Sequence, residues 1–268
     1  MQTLKGRTCV IGGGTGAVGR GAVRALCEGG MNVVLGTHMV ADAKGLVKEL
    51  KDCEGKCVAV SAESIIDVVE ENGENKIVEI PVEKGTGIGN VKFAYERFGS
   101  VDVVISNTGA FDAPVPLEEI TGDDLTKKLG HQVGGAFSSV MSALPYLKKS
   151  KAGRILLMSS AGARNGFSSE YFCDSVARGA VISMTYCLAR ELMQYGITVN
   201  CIAKSGMLND HEPHGRVLDM NTLTPVIPMG RIGTADEFGA AVAYLASEEA
   251  GFVTGQVIDL SGGLAIGC

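Results

Sequence analysis

The residues best suited to chemistry begin with a glycine-rich loop, Gly12-Gly13-Gly14-Thr15-Gly16-Ala17-Val18-Gly19. It follows the apolar run Thr8-Cys9-Val10-Ile11 and precedes a stretch with helical spacing, the strand–turn–helix setting in which such a loop binds a dinucleotide. Glycines let the backbone turn tightly and approach a pyrophosphate, while the free N–H groups at the helix start accept its charge. Gly12, Gly13, Thr15, Gly16, Val18 and Gly19 are therefore the candidate phosphate cradle. The end of the second strand then meets the adenosine ribose, where a carboxylate would select NAD. This chain has Gly36-Thr37-His38 there and no acid before Asp42. Thr37 and His38 are thus candidate donors to a 2′-phosphate, which favours NADP(H); the lack of an arginine clamp keeps NAD(H) open, and His38 also reads as a surface histidine. A second pair of interest is Tyr171 and Arg178, with six residues between them. At about 100° per residue, seven positions make nearly two helical turns, so both side chains face one way if the stretch is helical.

The elements that must hold these residues alternate. Apolar strand-like runs occur at 8–11, 32–35, 101–106, 154–158, 198–202 and 256–260, separated by helical patterns at 20–28, 42–50, 88–98, 121–147, 172–195 and 235–247. Between 56 and 82 the pattern blurs into two candidate strands, 57–60 and 77–80, joined by the polar stretch 70–75, which reads as a hairpin or surface insertion. Strands apolar on both faces and alternating with helices predict a parallel sheet with right-handed crossovers. The expected architecture is α/β: a single doubly wound Rossmann domain over residues 1–268, with about seven mostly parallel strands flanked by helices. A loop-rich stretch, 204–229, containing His211 and His214, is the expected substrate loop.

Composition narrows the function classes. The chain has 268 residues, 46% hydrophobic and 20% charged, with a net charge of -6, which leaves no basic footprint for nucleic acid or an anionic membrane. Its eight cysteines form no CxxC pair and read as structural, reduced thiols, and no residues stand at zinc-ligand spacing. The polar N-terminus and the absence of a membrane-length apolar run imply a soluble, cytoplasmic protein.

The order of motifs resembles the short-chain dehydrogenase/reductase family over nearly the whole chain. The resemblance rests on the glycine loop, Ser106-Asn107-Thr108-Gly109, Gly153-Arg154 through Ser159-Ser160, Ala189-Arg190-Glu191-Leu192, Tyr195 through Asn200, Arg231-Ile232-Gly233, Thr254-Gly255-Gln256 and Ser261-Gly262-Gly263. The glycine spacing is similar to an atypical branch of the family, the C-terminal half to the ordinary one. The resemblance implies a nicotinamide cofactor, a small-molecule substrate and a homodimer or homotetramer. It adds Asn107 and Gly109 to the cofactor contacts and makes Ser160 the group beside the nicotinamide.

It also exposes departures. The family's Tyr and Lys positions fall on Asp174 and Arg178, its structural Asn on Gln132 with His131 beside it, its Pro-Gly after the next strand on Lys204-Ser205, and its adenine-side Asp on Pro81. Tyr171 and Arg178 stand at the Tyr-x6-Lys spacing of the family's enoyl reductases, with Arg in place of Lys. In this reading Ser160 bonds the developing oxyanion, Tyr171 moves the proton, and Arg178 holds the ribose and favours tyrosinate. Unlike Lys, Arg does not release a proton at working pH. Plainer readings stand beside these: Tyr171 as a packing aromatic, Asp174 and Arg178 as an i,i+4 ion pair, Gln132 and His131 as helix packing. The expected function is NAD(P)-dependent hydride transfer to a carbonyl or an activated C=C, the alternative a cofactor-binding protein without turnover.

Overall fold

The computed structural model describes residues 2–82, 90–107, 114–166, 171–207 and 224–266. Nine strands form one sheet: β1 (Thr8–Gly12), β2 (Asn32–Gly36), β3 (Cys57–Val60), β4 (Ser64–Glu71), β5 (Glu74–Pro81), β6 (Val103–Ser106), β7 (Arg154–Ser159), β8 (Thr198–Lys204) and β9 (Val257–Leu260). Their order is β5-β4-β3-β2-β1-β6-β7-β8-β9. All neighbours from β3 to β9 pair in parallel; β4 and β5 pair antiparallel. Among the described residues the α-helices are α1 (Ala17–Glu28), α2 (Val40–Glu49), α3 (Asn90–Phe98), α4 (Gly122–Leu129), α5 (Gly135–Leu147), α6 (Gly162–Asn165), α7 (Phe172–Leu192) and α8 (Ala235–Ala246).

Strand alternation divides the core in two. Cys9, Ile11, Val33, Leu35, Val103, Ile105, Leu156 and Ile202 face α1, α2 and α8. Val10, Val34, Val104, Ile155, Leu157, Val199 and Cys201 face α3, α5 and α7. Each fully buried aliphatic side chain of this kind contributes about 1.5–3 kcal/mol. A sheet covered on both sides requires apolar residues at successive positions, which is why its strands read as continuous runs. No helix among the described residues is long and apolar enough to cross a membrane.

The sheet is mostly parallel as expected, with nine strands against about seven, and β3 and β5 are the two candidate strands of the 56–82 stretch. The unanticipated strand is β4, whose apolar run is interrupted by Asp67. That carboxylate is only 6% exposed; it accepts a hydrogen bond from Arg97 Nε at 2.9 Å and one from the Val68 N–H at 2.7 Å. Asn72 and Gly73, both at positive φ, turn the chain from β4 into β5. Pro81 consequently pairs with Ser64 on the outermost strand, and the turn after the strand beside β2 begins at Ser61, not at Pro81.

The expected helix over 121–147 is two helices. α4 and α5 are joined by a π-helical turn, Gly130–Gly134. Its wider winding is tolerated only locally and re-aims side chains, a pattern frequent at functional sites.

Candidate active site

The strand order reverses between β1 and β6, and in open α/β sheets ligands bind beyond the strand ends at that point. Gly12 is in register with Gly36 of β2 and Ser106 of β6, so the glycine loop, Thr37 and Asn107 converge on one edge. Gly13 has φ +70, and a Cβ there would lie 2.0 Å from the Asn107 carbonyl oxygen; only glycine fits. Asn107 fixes the loop twice: its N–H donates to Gly12 O at 3.1 Å and its Nδ2 to Gly13 O at 3.0 Å. Gly19 packs the helix onto the loop, where a Cβ would meet Gly13 O at 2.2 Å.

Gly16, the residue before α1, offers no side-chain cap, and the first turn of the helix has no acid. Its opening N–H groups and the positive end of its dipole are therefore matched to an anion. Val18 is 7% exposed with its side chain in the core, so it can offer only its backbone. Thr15 is buried, its Oγ1 3.4 Å from Thr37 Oγ1. Thr37 accepts from the Met39 N–H at 2.8 Å, which turns the chain and leaves His38 exposed. An uncapped helix start, a side-chain-free turn and hydroxyls at the end of β2 fit a dinucleotide. Gly109, His211 and His214 lie outside the described residues.

The other half of the site is built where β7 meets α7. Ser160 follows the last residue of β7 and is 2% exposed. Its neighbour Ser159 donates to the Arg178 carbonyl at 3.0 Å, pinning α7 against the strand end. Arg178 is buried, and burial pushes its guanidinium down from the ordinary arginine range, opposed by Asp174 and Cys201. The Cys201 thiol is itself pushed up to about 12 by burial. Tyr171 is the half-buried residue that caps α7, with φ -109 and ψ 28 rather than helical angles, so the ideal two-turn alignment with Arg178 does not hold at its first position.

One group was not legible in the sequence. Lys128, in the last turn of α4, reaches Asp174 Oδ1 of α7 at 2.7 Å, with side chains only 6% and 5% exposed. Gln132, in the π turn, donates from Nε2 to the same oxygen at 3.0 Å. Asp174 is therefore more than the i,i+4 neighbour of Arg178: it joins two helices. Nothing in the sequence spacing of Lys128 points to residue 174. Among the described residues no group of three or more His, Cys, Asp or Glu could hold a metal ion.

This architecture and edge define a dinucleotide-binding protein of the doubly wound class, and comparison with known proteins supplies its chemistry. The family model described as enoyl-(acyl carrier protein) reductase matches residues 14–265. The chain is 30% identical over 265 residues to 2,3-dihydroxy-2,3-dihydro-p-cumate dehydrogenase from Pseudomonas putida, covering 97% of this chain and 95% of that protein. It is 30% identical over 272 residues to L-fucose dehydrogenase from Rattus norvegicus, covering 98% and 90%. The structure of 3-ketoacyl-(acyl-carrier-protein) reductase from Brucella melitensis complexed with NADH superposes with a TM-score of 0.82 at 24% identity, over 98% of this chain and all of that one. The chain belongs to the short-chain dehydrogenase/reductase family and is an NAD(P)-dependent oxidoreductase.

Proposed function

We propose that this enzyme interconverts a small alcohol and its carbonyl compound, with Ser160, Tyr171 and Arg178 as its working side chains. The observation that carries this reading is the convergence of the glycine loop, Asn107 and Ser160 on one sheet edge, at the ends of β1, β6 and β7. When bound there, a nicotinamide cofactor supplies or accepts the hydride. Gly12, Gly13, Thr15, Gly16, Val18 and Gly19 hold its phosphates, with Asn107 and Gly109 at the nicotinamide side. Ser160 donates to the oxygen on which charge develops, Tyr171 donates or removes the proton, and Arg178 stabilises the anionic partner. The 204–229 segment sets substrate choice. The names of the two relatives at 30% identity support alcohol oxidation and its reverse; saturation of an activated C=C is the competing chemistry.

NADP(H) is the favoured cofactor, because Thr37 and His38 stand where an acid would repel a 2′-phosphate. A homodimer or homotetramer is the assembly, supported by apolar exposure on the helices of one sheet face: Phe137 (50%) and Met141 (44%) on α5, Val176 (39%) and Tyr186 (48%) on α7.

The test is a fluorescence titration with NADH and NADPH, followed by turnover against acetoacetate esters, cyclohexanone, cyclohexenone and an aromatic ortho-quinone. Tyr171→Phe is expected to lower kcat on the order of 10²-fold with cofactor affinity intact, as loss of a general acid does. Unchanged turnover would remove Tyr171 from the mechanism.

A further inference from the structure

Reducing a carbonyl adds a hydride at carbon and a proton at oxygen, and the protein must supply the proton. α7, which walls the site beside Ser160, contains no lysine, and its buried cation Arg178 does not give up a proton at working pH. Asp174 lies one turn before Arg178, about 6 Å along the axis toward the start of the helix. Since the Arg178 carbonyl is bonded at the end of β7, Asp174 sits beyond the strand, on the side of the site. There it receives Lys128 from the opposite helix.

Burying a lysine with a carboxylate is costly, and such pairs are often replaceable by apolar side chains without loss of stability. A pair retained at such a cost, beside the end of β7 where Ser160 stands, points to a role beyond stability. The amine meets Asp174 of α7, which also accepts from Gln132 of the π turn, and Asp174 in turn acts on the buried Arg178, with Cys201 of β8 on that cation's other side. Of the cations, Lys128 combines burial with an exchangeable proton.

We propose that Lys128, held by Asp174 and Gln132, is the proton-supplying and positioning residue of this active centre, an inference that rests on the carbonyl-reduction reading above. The carbonyl carbon gains one hydride, the two-electron equivalent that a bound dihydronicotinamide would give up on becoming the oxidised cofactor. The carbonyl oxygen takes a proton from the Tyr171 hydroxyl. That hydroxyl is re-protonated by the Lys128 ammonium, and the neutral amine beside Asp174 recovers its proton from water. In alcohol oxidation the same proton runs outward.

Four variants test this, assayed with NADPH or NADH and the substrate found in the carbonyl panel. Lys128→Met is expected to lower kcat by about 10²-fold with the NAD(P)H dissociation constant unchanged within a factor of two. Lys128→Arg keeps the charge and the ion pair but not a releasable proton; it should stay equally slow and lose the wild-type pH dependence of kcat. The double variant Lys128→Met/Asp174→Leu should fold and bind cofactor, yet turn over no faster. Lys127→Met, at the exposed neighbouring position, should match the wild type. Separately, lysine labelled with 13C at Cε should show one resonance, absent from Lys128→Met, that moves when NADPH or NADH saturates the protein. Wild-type turnover by Lys128→Arg or by the double variant would make the pair a clamp between α4 and α7 and overturn the proposal, as would a Lys128 resonance unmoved by cofactor. If the wild type reduces nothing in the panel with either cofactor, the carbonyl reading fails first and this one falls with it.

Discussion

Substituting Gly21 by alanine opposes two effects whose balance the structure decides. Gly21 lies in the middle of α1, the helix whose start faces the cofactor phosphates. In an unobstructed helix, glycine to alanine stabilises by about 0.5–1 kcal/mol. At Gly21, however, a Cβ would lie 2.0 Å from the Ala235 carbonyl oxygen at the start of α8, and Gly239 of α8 approaches the Gly21 carbonyl in return. Both obstacles are backbone, so the helices must separate by more than 1 Å, roughly the gap to an ordinary carbon–oxygen contact. The side chains packed at this crossing, among them Ala22, Leu26, Phe238 and Val242, are fully buried and lose contact together. Overpacking against such a wall costs about 3 kcal/mol, the upper end of its usual range. The net loss is about 2 kcal/mol, a fall in Tm of about 4–8 °C for a chain of this size. Gly45→Ala in α2 is the control, because its Cβ meets only Arg20 Nη2 at 3.9 Å. Thermal unfolding of both variants should show opposite signs. A Gly21→Ala protein as stable as Gly45→Ala would refute the close α1–α8 crossing.

Three further outcomes follow from local bonding. Thr234→Ala removes the capping box of α8, in which Thr234 and Glu237 satisfy each other's backbone N–H; a loss of about 1 kcal/mol is expected in denaturant unfolding. In the same box, Arg231 and the Thr234 N–H hold Glu237 down at about 2, below its ordinary 4.5, so its stabilisation is complete above pH 4.5 and lost as pH falls toward 2; Glu237→Gln should flatten that part of the Tm–pH curve. Asn107→Ala should weaken NAD(P)H binding about tenfold in the fluorescence titration, the equivalent of the roughly 1.4 kcal/mol that one lost part-buried hydrogen bond can cost, because its Nδ2 no longer holds the Gly13 carbonyl.

What the sequence disclosed and withheld has a physical basis. Parallel strands buried on both faces leave continuous apolar runs, so β1, β2, β6, β7 and β8 and the glycine loop between β1 and α1 were legible. β4 was not, because Asp67 interrupts its run and is neutralised by Arg97, a residue thirty positions on in another element. Nor was the Lys128–Asp174 contact, since α4 is a polar helix and its lysine acquires a partner only when α7 docks across it. The π turn at Gly130–Gly134 was equally hidden in a pattern read as one helix. Local periodicity reports which face is buried; it carries nothing about which charged group meets which across the fold.

The β4–β5 hairpin also bears on how the sheet is assembled. β3, β4 and β5 are joined by short turns, with Val60 opposite Ile65 and Glu71 opposite Glu74, so their pairing closes loops of a few residues. Every parallel neighbour needs a crossover, and β1 meets β6 only when Cys9 finds Val103. Hairpins form in microseconds, whereas pairings distant in sequence wait on a larger loop-closure entropy. The added edge therefore supplies a locally formed template at the outer end of the sheet, and the crevice between β1 and β6 is among the later parts of the molecule to be completed.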